Sequence, residues 1–122
     1  MLISRGIFSM VFKSRQTMGV NVIDVDGQIR VSTQNDCKDF FDRLVLEQGN
    51  QTVVMNLNGV TYMNSAGIGI IVDSYKQFKE RGGRLILTNL VSDIQKLFEV
   101  TKLNKFIEIY RTEEEAITKL NV

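Results

Sequence analysis

Strand-like and helix-like segments alternate along most of this 122-residue chain, and the alternation limits the folds open to it. The segments recur at spacings of about 10 to 20 residues, which suit helical crossovers between parallel strands. The clearest strand is Thr52–Leu57, whose nearly unbroken apolar run predicts a central strand covered on both faces. The pattern therefore predicts an α/β fold with one sheet and helices mainly on one side of it.

The predicted order is β-β-α-β-α-β-α-β-α, a single mixed β-sheet of about five strands with about four helices. The predicted strands are 7–13, 20–25 with a continuation through Ile29 and Val31, 52–57, 84–88 and 106–110. The predicted helices follow Ser32-Thr33, run from near Ser65 to Gly82-Gly83, span 92–101 and open at Thr112. Turns are expected at 16–19 and at Asn58-Gly59, and the early strand pair adds an antiparallel edge. We expect residues 1–122 to form a single domain.

Helical spacing of apolar residues predicts which helix faces are buried. In the first helix the buried positions are Cys37, Phe40, Phe41, Leu44 and Val45. In the second they are Ile68, Ile71, Val72, Tyr75 and Phe78, and in the third Ile94, Leu97 and Phe98. Ile70 falls off this face and is expected to be exposed, either as a partner contact or as an ordinary surface residue.

Composition excludes several classes of function. The chain has no histidine, so a histidine-based catalytic triad is impossible and the commonest zinc ligand is missing. No acid–base or metal set is visible, so we expect neither an enzyme nor a metal or cofactor site. The formal net charge of +1 argues against direct nucleic-acid binding.

Cysteine content and hydropathy bear on the cell compartment. The single cysteine, Cys37, fits a reducing cytoplasm and is expected to be an inert core thiol. Residues 1–12 lack a sustained apolar core and a cleavage site, so we interpret them as structure and not as a signal peptide. No apolar run reaches the roughly 20 residues of a spanning helix, so no membrane insertion is expected.

Ser65 is the candidate functional residue. It follows the central strand and begins a helix whose start holds Ala66, Gly67 and Gly69. Two glycines in the first turn cost a helix roughly 1 kcal/mol each relative to alanine, which suggests close approach by a partner or by neighbouring backbone. A helix N-terminus favours an anion, so a phosphate on this serine would be tolerated by the domain itself. The ordinary alternative is that Asn64 or Ser65 is only a helix N-cap.

Three segments resemble bacterial anti-sigma-factor antagonists of the STAS family. Residues 56–69, Asn-Leu-Asn-Gly-Val-Thr-Tyr-Met-Asn-Ser-Ala-Gly-Ile-Gly, are similar to the family signature D-L-S-x-V-x-F-M-D-S-[SA]-G. Residues 98–107, Phe-Glu-Val-Thr-Lys-Leu-Asn-Lys-Phe-Ile, are similar to F-E-x-T-G-L-D-K-I-F, and residues 25–29 resemble the x-x-G-E-I segment. Between these segments the resemblance also covers residues 75–85. Over the whole chain it is strongest across residues 20–110.

The resemblance implies a phosphorylation-controlled switch. In the family, the serine matching Ser65 is phosphorylated by a partner serine kinase that is often itself the anti-sigma factor. The unphosphorylated form binds that kinase and frees a sigma factor, and a PP2C-type phosphatase resets the switch. The candidate partner-binding residues are Arg30, Asn64, Ser65, Ala66, Gly67, Ile68 and Ile70.

Two positions depart from the family pattern. Asn64 stands where aspartate usually precedes the serine, and Arg30 stands where aspartate commonly follows G-E-[IL]. The local surface is therefore more positive than is usual in the family. Arg30 would pair with a phosphate on Ser65 if the two strand ends are adjacent, or it indicates a different partner. The alternative function is a STAS-like structural or regulatory subunit of a transporter or signalling complex that is never phosphorylated.

Overall fold

The computed structural model describes residues 3–5 and 10–121. These residues form one sheet of six strands in the spatial order β1-β2-β3-β4-β5-β6. The strands are β1 (Ile3–Arg5), β2 (Val11–Thr17), β3 (Val20–Ile29), β4 (Thr52–Met63), β5 (Arg84–Thr88) and β6 (Glu108–Tyr110). The helices are α1 (Gln34–Gln48), α2 (Ser65–Glu80), α3 (Ser92–Val100) and α4 (Glu113–Leu120), with a 3₁₀ turn at Leu103–Lys105. From β2 onwards this is the predicted order.

The sheet is mixed, as predicted. β1, β2 and β3 pair antiparallel, whereas β3, β4, β5 and β6 run parallel to one another. The first predicted strand is displaced: residues 7–9 lie outside the described residues, and β2 continues to Thr17. Thr17 pairs with Val20, so only Met18 and Gly19 form the turn, both with positive φ. A two-residue turn with both central φ values positive matches the twist of a hairpin.

The predicted turn at Asn58-Gly59 is wrong. β4 runs without interruption to Met63, because β3 extends to Ile29 and offers it a partner along that whole length. At two register shifts β4 advances three residues where β3 advances two, between Asp24 and Asp26 and between Gly27 and Ile29. Gly59 lies opposite Asp26. A Cβ at Gly59 would lie 2.9 Å from the backbone oxygen of Val25, so glycine is required there by close approach and not by a turn.

The main core lies between the sheet and helices α1, α2 and α3. All five predicted positions of α1 are buried, and Phe40 stacks on Phe12 of β2 with ring centroids 4.1 Å apart. In α2, Ile71 and Phe78 are buried, whereas the other predicted positions, Ile68, Val72 and Tyr75, are half-buried. In α3, Ile94 and Phe98 are buried and Leu97 is half-buried.

Among the described elements, α4 alone packs on the opposite face of the sheet. Ala116 and Ile117 pack on Val22, Val54 and Ile86. Val53 and Met55 belong to the main core and Val54 to this second cluster, so the central strand is covered on both faces, as predicted.

Two strand ends differ from expectation. Val31 does not continue β3 and is 81% exposed, because the backbone turns towards α1 after Ile29. Phe106 lies outside β6 and is 72% exposed, because the 3₁₀ turn occupies the residues before it.

An ionic network anchors α4 to the sheet. Arg15 Nε donates to Asp24 Oδ2 at 2.6 Å, and Arg15 Nη2 donates to Glu113 Oε1 at 2.5 Å. Asn56 Nδ2 also donates to Glu113 Oε1, at 3.0 Å, and Asn89 Oδ1 accepts the backbone N–H of Glu113. Hydrogen bonding from Arg15 therefore holds the pKa of the Glu113 carboxyl below its usual range.

Glu113→Gln is expected to lower the free energy of unfolding by about 1 kcal/mol at pH 7. Because the pKa of Glu113 is lowered in the folded state, its stabilisation is complete above the unfolded pKa of about 4.3. That stabilisation is lost as pH falls through the folded pKa, so the gap between wild type and variant should close below about pH 4. Urea unfolding at several pH values measures this difference in the free energy of unfolding. Glu114→Gln, at an exposed neighbouring carboxylate, is the control; a gap independent of pH would contradict the assignment.

Candidate functional site

Ser65 is the first residue of α2, immediately after the end of β4. The Asn64 N–H donates to the Ile29 carbonyl oxygen at 3.0 Å, which carries the β3–β4 pairing up to the residue before the serine. Asn64 Oδ1 accepts the Gly67 N–H at 2.9 Å, so Asn64 is the N-cap. The Ser65 side chain is exposed, and no hydrogen bond joins its hydroxyl to another side chain within residues 3–5 and 10–121. Of the two residues considered as caps, the structure assigns the role to Asn64.

Asn64→Ala is expected to destabilise the fold by about 1 kcal/mol, because Gly67 N–H loses its acceptor. The substitution also removes the Asn64 Nδ2 bond to Gln34 Oε1, which is 2.9 Å long. Asn64→Asp retains the capping acceptor and should lie near wild type in urea unfolding, as should Ser65→Ala. Equal losses for Ser65→Ala and Asn64→Ala would contradict this division of roles.

The two glycines at the start of α2 have different environments. Gly67 is buried, and a Cβ there would lie 2.7 Å from Met63 Cγ and 2.8 Å from Ile29 Cγ2. Gly69 is exposed, and a Cβ there would meet nothing within 4 Å. Packing inside the chain therefore explains why residue 67 is glycine. It does not explain why residue 69 is glycine.

Arg30 follows the end of β3 and is exposed. Its backbone is fixed by Thr33: the Arg30 N–H donates to Thr33 Oγ1 at 2.9 Å, and the Arg30 oxygen accepts the Thr33 N–H at 3.1 Å. Thr33 is thus at the N-cap position of α1, but its hydroxyl binds the preceding loop and caps no helical N–H. The Arg30 guanidinium carbon lies 5.9 Å from the Tyr62 ring centroid.

A shallow pocket of about 540 Å³ joins the two strand ends beside the serine. Its lining residues are Arg30, Val31, Ser32, Tyr62 and Asn64. Val31 is 81% and Tyr62 50% exposed, so an apolar surface adjoins the guanidinium. The sequence does not predict Val31 or Tyr62 as site residues. The one feature that could have indicated Val31 is its isolated position between Arg30 and the Ser32-Thr33 loop.

A second, smaller pocket of about 230 Å³ lies between α1 and α2. It is lined by Lys38, Asp42, Ala66, Gly69, Ile70, Asp73 and Ser74. Lys38 Nζ binds Asp42 Oδ2 at 2.6 Å. The expectation that Ile70 is exposed is wrong, because this side chain is half-buried against the main core where α1 approaches α2. Of the predicted site residues, Arg30 and Ser65 are therefore exposed and Gly67 is buried. The half-buried ones are Asn64, Ala66, Ile68 and Ile70.

Other chemistry is sparse in the described residues. Within them, no group of three or more histidine, cysteine, aspartate or glutamate side chains is arranged to hold a metal ion. Burial raises the pKa of the Cys37 thiol to about 12, so this thiol is unreactive in the folded chain. No helix in residues 3–5 and 10–121 has the length and apolar character required to cross a bilayer.

Comparison with known proteins gives a consistent result. The family model for the STAS domain matches residues 12–116. An anti-sigma-B factor antagonist from Listeria monocytogenes is 31% identical over 107 residues, which are 88% of this chain and 92% of that protein. The crystal structure of an anti-sigma factor antagonist from Mycobacterium paratuberculosis superimposes with a TM-score of 0.75 at 21% identity, covering 98% of this chain and 100% of that one. The Bacillus cell fate determinant SpoIIAA in its phosphorylated form gives 0.65 at 23% identity, covering 89% and 98%.

Proposed function

This chain belongs to the STAS domain family, and from that premise we propose that it is an anti-sigma factor antagonist switched by phosphorylation of Ser65. In the unphosphorylated state it binds an anti-sigma factor that is also a serine kinase, and a sigma factor is released. The chain is the substrate of that kinase and not itself a catalyst. The relative from Listeria monocytogenes carries the name anti-sigma-B factor antagonist.

The observation that carries the proposal is the exposed hydroxyl of Ser65 at the start of α2, which forms no hydrogen bond to another side chain among the described residues. Because Asn64 supplies the cap, Ser65 has no structural task that modification would disrupt. Transfer of the γ-phosphoryl group of ATP forms a bond to Ser65 Oγ, breaks the bond to ADP and releases the hydroxyl proton. The product carries about −1.5 to −2 charges at neutral pH, beside the positive end of a helix dipole.

The surface around Ser65 explains how such a charge would prevent binding. Ala66 and Gly69 present almost no side chain, so a partner surface can approach the helix start closely. A phosphate in that contact would be removed from water, and the desolvation of its charge costs several kcal/mol in an interface. The partner-binding surface that we propose consists of Arg30, Asn64, Ser65 and Ala66, supported from beneath by Gly67, Ile68 and Ile70.

A capture experiment followed by phosphosite mapping tests the proposal. The unphosphorylated chain is used to capture partners from the native host, and the captured kinase is incubated with the chain and ATP. Mass spectrometry should find one phosphate on Ser65, none in Ser65→Ala and an unchanged level in Ser92→Ala. A PP2C-type phosphatase should then restore binding.

Two results would overturn the proposal. One is a phosphate at another position that persists in Ser65→Ala. The other is capture of transporter or other signalling subunits in place of a kinase, which would support the alternative of a STAS subunit that is never phosphorylated.

A further inference from the structure

Arg30 is a cation that lines a pocket together with Asn64, the residue before Ser65, and it has no anionic partner in the described part of the chain. The ion pairs found there involve Arg15, Lys38 and Arg84 as cations, and none involves Arg30. Its guanidinium lies instead over the Tyr62 ring, where the attraction is about 0.5–1 kcal/mol at an exposed site. Such a contact is weak enough to be exchanged for an ion pair.

The backbone brings Arg30 to the serine with little freedom. Ile29 pairs with Met63, and Asn64 N–H donates to the Ile29 oxygen, so Arg30 lies across the strand ends from Asn64 and Ser65. Paired strands are about 4.8 Å apart, which is less than the reach of an arginine side chain. Thr33 fixes the Arg30 backbone on both its N–H and its carbonyl, so only the side chain has to reorient.

The other charged groups near the serine do not compete well for a phosphate. Lys38 lines the small pocket together with Ala66, but Asp42 already binds it. Asp73 lines the same small pocket and adds a further negative charge there. Arg30 is therefore the available cation on the side of the strand ends, and a guanidinium offers paired N–H groups that match phosphate oxygens.

We propose that Arg30 is the intramolecular partner of the phosphate on Ser65. The phosphorylated form then holds an internal ion pair across the ends of β3 and β4. Phosphorylation removes the Arg30 guanidinium from Tyr62 and from the partner-binding surface while it adds the phosphate. This inference deepens the proposed function and rests on it, since it concerns the regulation of the same site.

The test uses the full chain with phosphoserine encoded genetically at position 65, so that no kinase is required. Phosphorus NMR titration gives the second pKa of the phosphate in this protein, in Arg30→Ala, in Arg30→Lys and in Lys38→Ala. A neighbouring guanidinium favours the dianion, so Arg30→Ala should raise that pKa by several tenths of a unit, with Arg30→Lys intermediate. Lys38→Ala is the matched control and should change it by less than about 0.1 unit. In the intact chain, the Arg30 Nε–H resonance should also shift on phosphorylation.

The outcomes separate the inference from the function on which it depends. An unchanged phosphate pKa in Arg30→Ala, or a larger change in Lys38→Ala, overturns the role of Arg30. Arg30 is exposed, so its variants are expected to fold, and thermal unfolding of each verifies this. If a kinase fails to label Ser65, the proposed function falls, whereas the titration still reports whether the guanidinium and an encoded phosphate meet.

Discussion

Ser65→Asp is expected to weaken binding to the anti-sigma factor by about 100-fold or more, with no loss of folding stability. A hundredfold change corresponds to about 2.7 kcal/mol, within the cost of placing an unpaired charge in a closely packed interface. The fold tolerates the charge because Ser65 is exposed and the helix dipole favours an anion at that position. Calorimetric titration of the captured partner measures the affinity, and thermal unfolding measures the stability.

Ser92→Asp is the matched control for this substitution. Ser92 is also exposed and is also the first residue of a helix, α3, so it receives the same charge in the same local setting. Its affinity should equal that of the unmodified chain. Wild-type affinity in Ser65→Asp, or an equal loss in Ser92→Asp, would show that the partner does not contact the start of α2.

Gly67→Ala and Gly69→Ala are expected to change stability in opposite directions, although they lie two residues apart in one helix. Gly67→Ala should destabilise by about 1–3 kcal/mol, since the new methyl group would overlap Met63 and the branched side chain of Ile29. Gly69→Ala should stabilise by about 0.5–1 kcal/mol, because alanine is the better helix former and the space is open.

Affinity for the partner is a second property that should distinguish the two variants. If the partner approaches closely at Gly69, the alanine variant should be more stable and yet bind less well. Urea unfolding and titration of the same protein samples test both halves. Unchanged affinity in Gly69→Ala would show that the partner does not approach closely at Gly69, and a stabilised Gly67→Ala would contradict the packing at that residue.

The sequence predicts the element order and most of the core because buried apolar residues recur along it with the period of the helix or strand. Cys37, Phe40 and Leu44 recur at helical spacing, and all are buried. The unbroken apolar run of β4 likewise indicates its central position. Ile70 was predicted incorrectly, because periodicity along α2 reports the face towards the sheet and not the flank towards α1.

Long-range pairing accounts for the remaining differences. Asn58-Gly59 has the local composition of a turn, but pairing with the extended β3 keeps the backbone in a strand. The position of Arg30 opposite Asn64 depends on two register shifts between β3 and β4, which no local pattern encodes. For Ser65, the residues alone favoured a cap; the resemblance singled it out as a phosphosite, and the hydrogen bond of Asn64 assigns the cap to its neighbour.

The continuous β3–β4 pairing, which ends at the hydrogen bond between Asn64 and Ile29, has a kinetic consequence. Because Ser65 lies between a paired strand and a capped helix, its backbone has no slow rearrangement to complete after modification. The time course of the response should then follow the turnover of the kinase and phosphatase and the dissociation rate of the partner. Stopped-flow mixing of the freshly dephosphorylated chain with its partner should accordingly show no lag phase.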